Sequence, residues 1–186
     1  MVGVAAVDAS NRAGLTVAVV GAECSGKTTL AQQLAQRFTV PWVREFSRTY
    51  LAGRHSYDEN DVLAVAKGQH AAEMAATDDE PLLIADTDLV VIRIWWDVRY
   101  GGSHPWIDTT LSEQLTGPRR RGYLLPTPDI PWTPDPLREH PHERPALHAR
   151  YRALLDSLGI PYVEVSGSPE QRLERAAAAI NGWLNR

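Results

Sequence analysis

Along this chain the spacing of apolar residues switches between the periods of strands and of helices. The continuous apolar run Leu15 to Val20 predicts a buried strand, after which Leu30, Ala31, Leu34, Ala35 and Phe38 recur at helical spacing. Val40 to Glu45 reads as a short second strand, followed by a helical stretch from about Phe46 to Ala52. Ser56-Tyr57-Asp58-Glu59 has the form of a capping box, with its helix running towards Ala76. Pro81 to Ala85 is apolar throughout and predicts a strand buried on both faces, ending at Asp86. Leu89 to Tyr100 is apolar nearly all round as a helix, which predicts deep burial or one wall of a pocket. Tyr123 to Leu125 gives a weaker fourth strand and Tyr162 to Val165 a fifth. Ser168-Pro169-Glu170-Gln171 then caps a closing helix that presents Leu173, Ala176, Ala177, Ile180 and Leu184 on one face. This alternation predicts an α/β fold, a five-stranded parallel sheet with helices on both faces.

One segment breaks the alternation. Residues 126–150 hold Pro126, Pro128, Pro131, Pro134, Pro136, Pro141 and Pro145, with Arg138, Arg144 and Arg150 spaced among them. Such a stiffened, positive segment is either a solvated connector or a lid that closes over an anion. Its place after a strand's carboxyl end, where open α/β sheets bind ligands, favours the lid. The chain's 186 residues suit a single domain over 1–186 with this lid inside it. The net charge of −4 provides no broad basic field, so a small molecule is expected as partner rather than nucleic acid. Cys24 has no second cysteine to pair with, no run of about 18 apolar residues suggests a membrane span, and the first residues lack a signal-peptide pattern. A cytoplasmic protein is expected; its oligomeric state is not legible.

The chemistry enters where the first strand ends. Gly21-Ala22-Glu23-Cys24-Ser25-Gly26-Lys27-Thr28 spells G-x-x-x-x-G-K-[ST] between a strand and a helix, the context that a phosphate loop requires. Glycines let backbone N–H groups close around phosphate oxygens, Lys27 neutralises the β/γ charge and the Thr28 hydroxyl ligates Mg²⁺. Gly21, Glu23, Cys24, Ser25, Gly26, Lys27, Thr28 and Thr29 are therefore assigned to ATP, within a P-loop NTPase fold. No Asn-Lys-x-Asp guanine-reading tetrapeptide occurs, and Asp86-Thr87 stands where a mechanical ATPase carries Asp-Glu. Transfer to a bound hydroxyl remains, which asks for positioning, charge neutralisation and a carboxylate to take the acceptor's proton. Glu45, Asp86 and Asp88 are the carboxylates at strand carboxyl ends. Glu45 is the first candidate for base and acceptor anchor, and Asp86 suits Mg²⁺ held through water, although either carboxylate could be the base. Asp88 is an acceptor-side candidate that could equally cap the next helix.

Several fragments share an order with a known family. Glu45-Phe46-Ser47-Arg48-Thr49-Tyr50, Gly68-Gln69, Asp86-Thr87-Asp88, Tyr100-Gly101 with His104-Pro105, and Asp129-Ile130-Pro131-Trp132 with Asp135, Leu137-Arg138 and Arg144 resemble the ribosylnicotinamide kinase domain of bacterial NadR-type NAD-salvage proteins. The resemblance runs from about Leu15 to Trp183. It implies a nucleoside-kinase-like fold and ATP-dependent phosphorylation of nicotinamide riboside at its 5′-hydroxyl. By the same resemblance Lys27, Thr28 and Asp86 serve ATP and Mg²⁺, Glu45 and Arg48 face the acceptor, and Arg138 and Arg144 belong to the lid. Many family members carry a nucleotidyltransferase domain before the kinase; only 14 residues precede the first strand here, so the mononucleotide is the expected product. Where the family can place an aromatic before its Glu-[Tyr/Phe]-x-Arg, this chain has Arg44, with Trp42 two residues earlier. Aromatic faces hold a cationic pyridinium well; Trp42, Trp95, Trp96, Trp106 and Trp132 are available, with Trp42 and Trp132 assigned to the substrate. The alternatives are a kinase of another nucleoside or small hydroxyl compound, and a non-catalytic nucleotide-binding regulator.

Overall fold

In the computed structural model, which describes residues 14–76, 80–134 and 142–186, five parallel strands lie in the order β2-β3-β1-β4-β5. The strands are β1 (Leu15–Val19), β2 (Trp42–Val43), β3 (Leu82–Asp86), β4 (Arg120–Pro126) and β5 (Tyr162–Val165). The helices are α1 (Lys27–Phe38), α2 (Phe46–Tyr50), α3 (Glu59–Ala76), α4 (Leu89–Tyr100), α5 (Pro105–Thr116), α6 (Arg144–Leu158) and α7 (Pro169–Leu184). Side chains alternate across each strand. Leu15, Val17, Val19, Leu82, Ile84 and Leu124 join one core with α1 and α7; Ala18, Leu83, Ala85, Tyr123 and Leu125 join the other with α3, α4, α5 and α6. Both faces are thus covered, which is why the central strands read as unbroken apolar runs. The register Val19↔Asp86 brings the carboxyl ends of β1 and β3 level, β4 runs on two residues past Leu124, the partner of Val19, and the phosphate-loop segment leaves the sheet there.

Four local expectations change. The second strand pairs only over Trp42–Val43, because the chain turns into α2 straight after Glu45. The α3 cap lies two residues later than the Ser56 reading: Asp58 Oδ1 accepts from the backbone N–H of Asn60 and Asp61, and Asp61 Oδ2 accepts from Asp58 N. Helix α5 was not expected; His104 Nδ1 accepts from Trp106 N and Pro105 occupies the first turn. The lid segment is not a loop to residue 150, since α6 begins at Arg144 with Pro145 in its first turn, where proline costs no hydrogen bond. No helix among the described residues is long and apolar enough to cross a membrane.

Candidate active site

Strand β1 delivers a loop whose backbone needs glycine at two points. Gly21 has φ +144° and Gly26, at the N-cap of α1, has φ +85°. Cys24 between them also takes a positive φ of 50°. Lys27 folds back over the loop, its Nζ donating to the Gly21 and Ala22 carbonyls at 3.0 Å each. The first turn of α1 contains no acidic residue, and Thr28 and Thr29 are exposed, so the positive helix end faces an open space suited to an anion.

Two carboxylates face this loop. Asp86 ends β3 almost fully buried, and burial lifts its pKa to about 6, aided by the charge of Glu45 and opposed by the Thr28 hydroxyl, Lys27 and Arg48. Its Oδ1 is buried without a hydrogen-bond partner. An orphaned carboxylate oxygen beside a threonine hydroxyl is a set of hard oxygen donors that fits Mg²⁺. Among the described residues no group of three His, Cys, Asp or Glu could cage a metal, and Mg²⁺ needs none, since phosphates and water complete its shell. Glu45 sits at the N-cap position of α2 but does not cap it. Its Oε1 accepts from Ser47 Oγ at 2.7 Å and its Oε2 from Arg48 Nε at 3.2 Å, so the carboxylate is held towards the cleft.

The cleft itself opens between the loop and helices α4 and α6 and contains about 710 Å³ of space, open mouth included. Gly21, Ala22, Glu23 and Lys27 form one end, and Glu45, Ser47 and Leu51 another side. Val91, Ile94, Trp95 and Val98 of α4, with Tyr57, Leu147 and Tyr151, supply an apolar and aromatic wall. Trp95 Nε1 donates to the Tyr57 hydroxyl at 3.1 Å, and the two rings meet edge to face at 5.2 Å. The Arg99 guanidinium covers Tyr57 at 4.1 Å. Burial pushes the Tyr151 hydroxyl well above the usual tyrosine range, and the charges of Glu23, Glu45 and Asp88 push it the same way. The cleft therefore brings the carboxylates of Glu23 and Glu45 together with aromatic surfaces, with Lys27 at one end.

The expected residues do not all meet there. Asp88 is fully buried beneath the site as a structural group: Oδ1 accepts from Val90 N to cap α4, and Oδ2 accepts from the Tyr123 hydroxyl and Arg121. Trp42 packs on the α1/α7 side of the sheet under the Arg44 guanidinium, away from the cleft lining. Trp132 lies 5.7 Å from the Arg144 guanidinium, and Arg144 donates to the carbonyls of Cys24 and Ile130, clasping the phosphate loop to the following segment. Arg48 stands half-exposed at the rim on Glu45. Arg138 and the middle of the expected lid lie outside the described residues. Of the tryptophans, Trp95 lines the cleft; Trp96 packs on Tyr100 and His104, and Trp106 on His70 and Lys67. The sequence reading passed over Tyr151, an isolated aromatic, and took Tyr57 only as a position within the Ser56–Glu59 capping box, not as a wall of the site. It also passed over Arg172 on α7, which donates to the carbonyls of Ser25, Thr127 and Gly167 and pairs with Asp129. Arg172 stands one turn before Ala176 on the buried side of α7, a lone charge with no motif to mark it.

Comparison with known proteins fits this geometry. The family model described as an AAA domain matches residues 16–172. The trifunctional NAD biosynthesis/regulator protein NadR of Salmonella typhimurium is 29% identical over 130 residues, covering 66% of this chain and 30% of that protein. The chain thus spans under a third of the length of the curated relatives it matches. A crystal structure of NadR in complex with NR superposes with a TM-score of 0.71 at 18% identity, over 93% of this chain and 52% of the other. Deoxyadenosine kinase from M. mycoides superposes with a TM-score of 0.61 at 11% identity, over 90% and 99% of the two chains. The five-stranded sheet and its helices are those of the P-loop kinase fold.

Proposed function

We propose, from the premise that the chain belongs to the AAA domain family, that it transfers the terminal phosphoryl group of ATP to the 5′-hydroxyl of nicotinamide riboside, giving nicotinamide mononucleotide and ADP. One observation carries this reading: a single cleft joins the phosphate-loop lysine, the Glu45 carboxylate and walls of aromatic and apolar side chains. Nicotinamide riboside carries a cationic pyridinium ring. Aromatic faces attract such a cation by about 0.5–2 kcal/mol, and the carboxylates of Glu23 and Glu45 add to that attraction. The likeness to NadR supports the same acceptor.

The chain's own groups divide the chemistry between them. Lys27 exchanges its loop carbonyls for phosphate oxygens, and the loop amides with the α1 N-terminus cradle the remaining charge. Thr28 and Asp86 would hold Mg²⁺, which when bound neutralises phosphate charge. Glu45, kept in place by Ser47 and Arg48, orients the 5′-hydroxyl and accepts its proton as the new O–P bond forms and the bond to the departing ADP breaks. Arg144, beside the loop on α6, is placed to meet the equatorial phosphoryl oxygens if it leaves the Cys24 carbonyl. The wall of α4 and α6 keeps bulk water from competing with the acceptor.

The test is a nucleoside panel incubated with ATP and Mg²⁺, following ADP release and product mass. Nicotinamide riboside should give a product heavier by one phosphoryl group. Phosphorylation of another nucleoside with none of nicotinamide riboside would reassign the acceptor, and ATP turnover that ignores every acceptor would end the kinase reading.

A further inference from the structure

Both carboxylates of the site stand at strand ends, and something must set the distance between them. The β2–β3 ladder cannot, because its last paired residues are Val43 and Ala85, short of Glu45 and Asp86. Beyond that point the two chains separate, one into α2 and the other into the turn before α4. The gap is crossed by Gln69 of α3, whose side chain is fully buried. Its Oε1 accepts from Phe46 N at 2.8 Å, one residue after Glu45, and its Nε2 donates to Thr87 O at 3.0 Å, one residue after Asp86.

The surroundings are shaped for this crossing. A Cβ at Gly68 would lie 2.2 Å from the Phe46 ring, so only glycine lets α3 approach closely enough for its neighbour to reach both strands. Thr87 is β-branched yet holds φ at +80°, a conformation that persists only where the surroundings fix it. Both its backbone groups are fixed: the N–H donates to Val19 O at 3.2 Å and the carbonyl accepts from Gln69. We infer that Gln69 is a positioning residue for phosphoryl transfer, a rigid tie that sets the spacing of Glu45 and Asp86. This rests on the kinase reading for its functional half and on geometry alone for its structural half.

The test uses the full chain with Gln69→Met, which keeps volume but loses both bonds, and Gln69→Glu, which keeps the acceptor for Phe46 and loses the donor for Thr87. In Gln69→Met amide exchange should quicken at both junctions, around Phe46 and around Thr87, and in Gln69→Glu chiefly around Thr87, while β1 and β4 keep their protection. Gln69→Met should lower kcat by about 10-fold or more with each KM changed less than about 3-fold, the mark of an interaction that matters in the transition state. For Gln69→Glu, the ratio of its kcat to that of wild type should rise as pH falls, because a protonated carboxyl regains the donor. A kcat for Gln69→Met within about 2-fold of wild type, a loss that only follows the unfolded fraction, or exchange in Gln69→Met that quickens at one junction alone would overturn the tie. Should Gln69→Met fail to fold, Gln69→Glu carries the test through its pH-dependent kcat ratio and its exchange around Thr87, and the absence of both would overturn the tie. If the wild type phosphorylates a different nucleoside, the acceptor assignment fails and the kinetics are read on that nucleoside. If it phosphorylates none, the exchange pattern at the two junctions decides.

Discussion

Trp95 and Tyr57 share a hydrogen bond and an edge-to-face contact, so each holds the other's ring against the cleft. If that wall binds a pyridinium cation, Trp95→Leu should raise KM for nicotinamide riboside by about 5- to 30-fold, equivalent to the loss of one cation–π contact of ~1–2 kcal/mol, and leave KM for ATP nearly unchanged. Steady-state kinetics with each substrate varied would check this; parallel losses for both substrates would count against the wall. The two ends of the cleft should separate in the same assay. Lys27→Ala should weaken ATP binding and turnover together, whereas Glu45→Gln should keep ATP affinity and lower kcat by roughly 10². Equal losses of ATP affinity in the two variants would remove Glu45 from the acceptor side. Residues embedded in a motif, such as Gly26, Lys27 and Asp86, were legible because spacing and flanking elements constrain them jointly. Tyr57, Tyr151 and Arg172 were not, since their roles depend on contacts with residues distant in sequence, which no local pattern encodes.

At the scale of elements, strand β4 carries the most unusual burden. It begins with two arginines, which hid its true start, and Arg121 is buried against Glu73 of α3 and Asp88 at the head of α4. Two carboxylates share one guanidinium there, so a proton on one of them balances the charge. Burial pushes Glu73 up to about 7, and Asp88 adds to the rise against the pull of Arg121. A carboxyl raised in the folded state stabilises fully below its unfolded value near 4.5, and that contribution is lost as pH climbs through about 7. Denaturant melts should therefore show stability falling by about 2 kcal/mol from about pH 5 to about pH 8, with Glu73→Gln flattening the slope. An unchanged slope in the variant would assign the proton elsewhere. Strands β1 and β3 were legible for the opposite reason: burial on both faces leaves them apolar except for Thr16 and the terminal Asp86. The start of α6 was missed because Pro145 was counted with the proline-stiffened segment, and α5 was not read at all, although Pro145 and Pro105 both occupy first turns.

For the molecule as a whole, the phosphate loop is held from both sides, by Arg144 of α6 at the Cys24 carbonyl and by Arg172 of α7 at the Ser25 carbonyl. Replacing Arg172 by alanine leaves the buried Ser25 carbonyl without this donor, at about 1–3 kcal/mol, and also removes the bonds to the more exposed Thr127, Gly167 and Asp129. Arg172→Ala should lower the denaturation midpoint markedly and weaken ATP binding as well. Lysine, lacking the planar fork, should restore only part of the stability. A variant as stable as wild type that also binds ATP normally would show that the loop stands by itself. With the loop intact, ADP release should be slow with ATP alone and rise sharply on adding nicotinamide riboside, because no residue corresponds to the water-activating glutamate of an ATPase. The Arg172 tie also has a consequence in time. It joins residues 147 positions apart, so a nascent chain that has already extruded its whole phosphate loop still lacks the partner that secures it. A chain truncated before α7 therefore lacks this donor altogether and should fold less stably and lean more on chaperones than the Arg172→Ala variant, which a comparison of soluble yields would check.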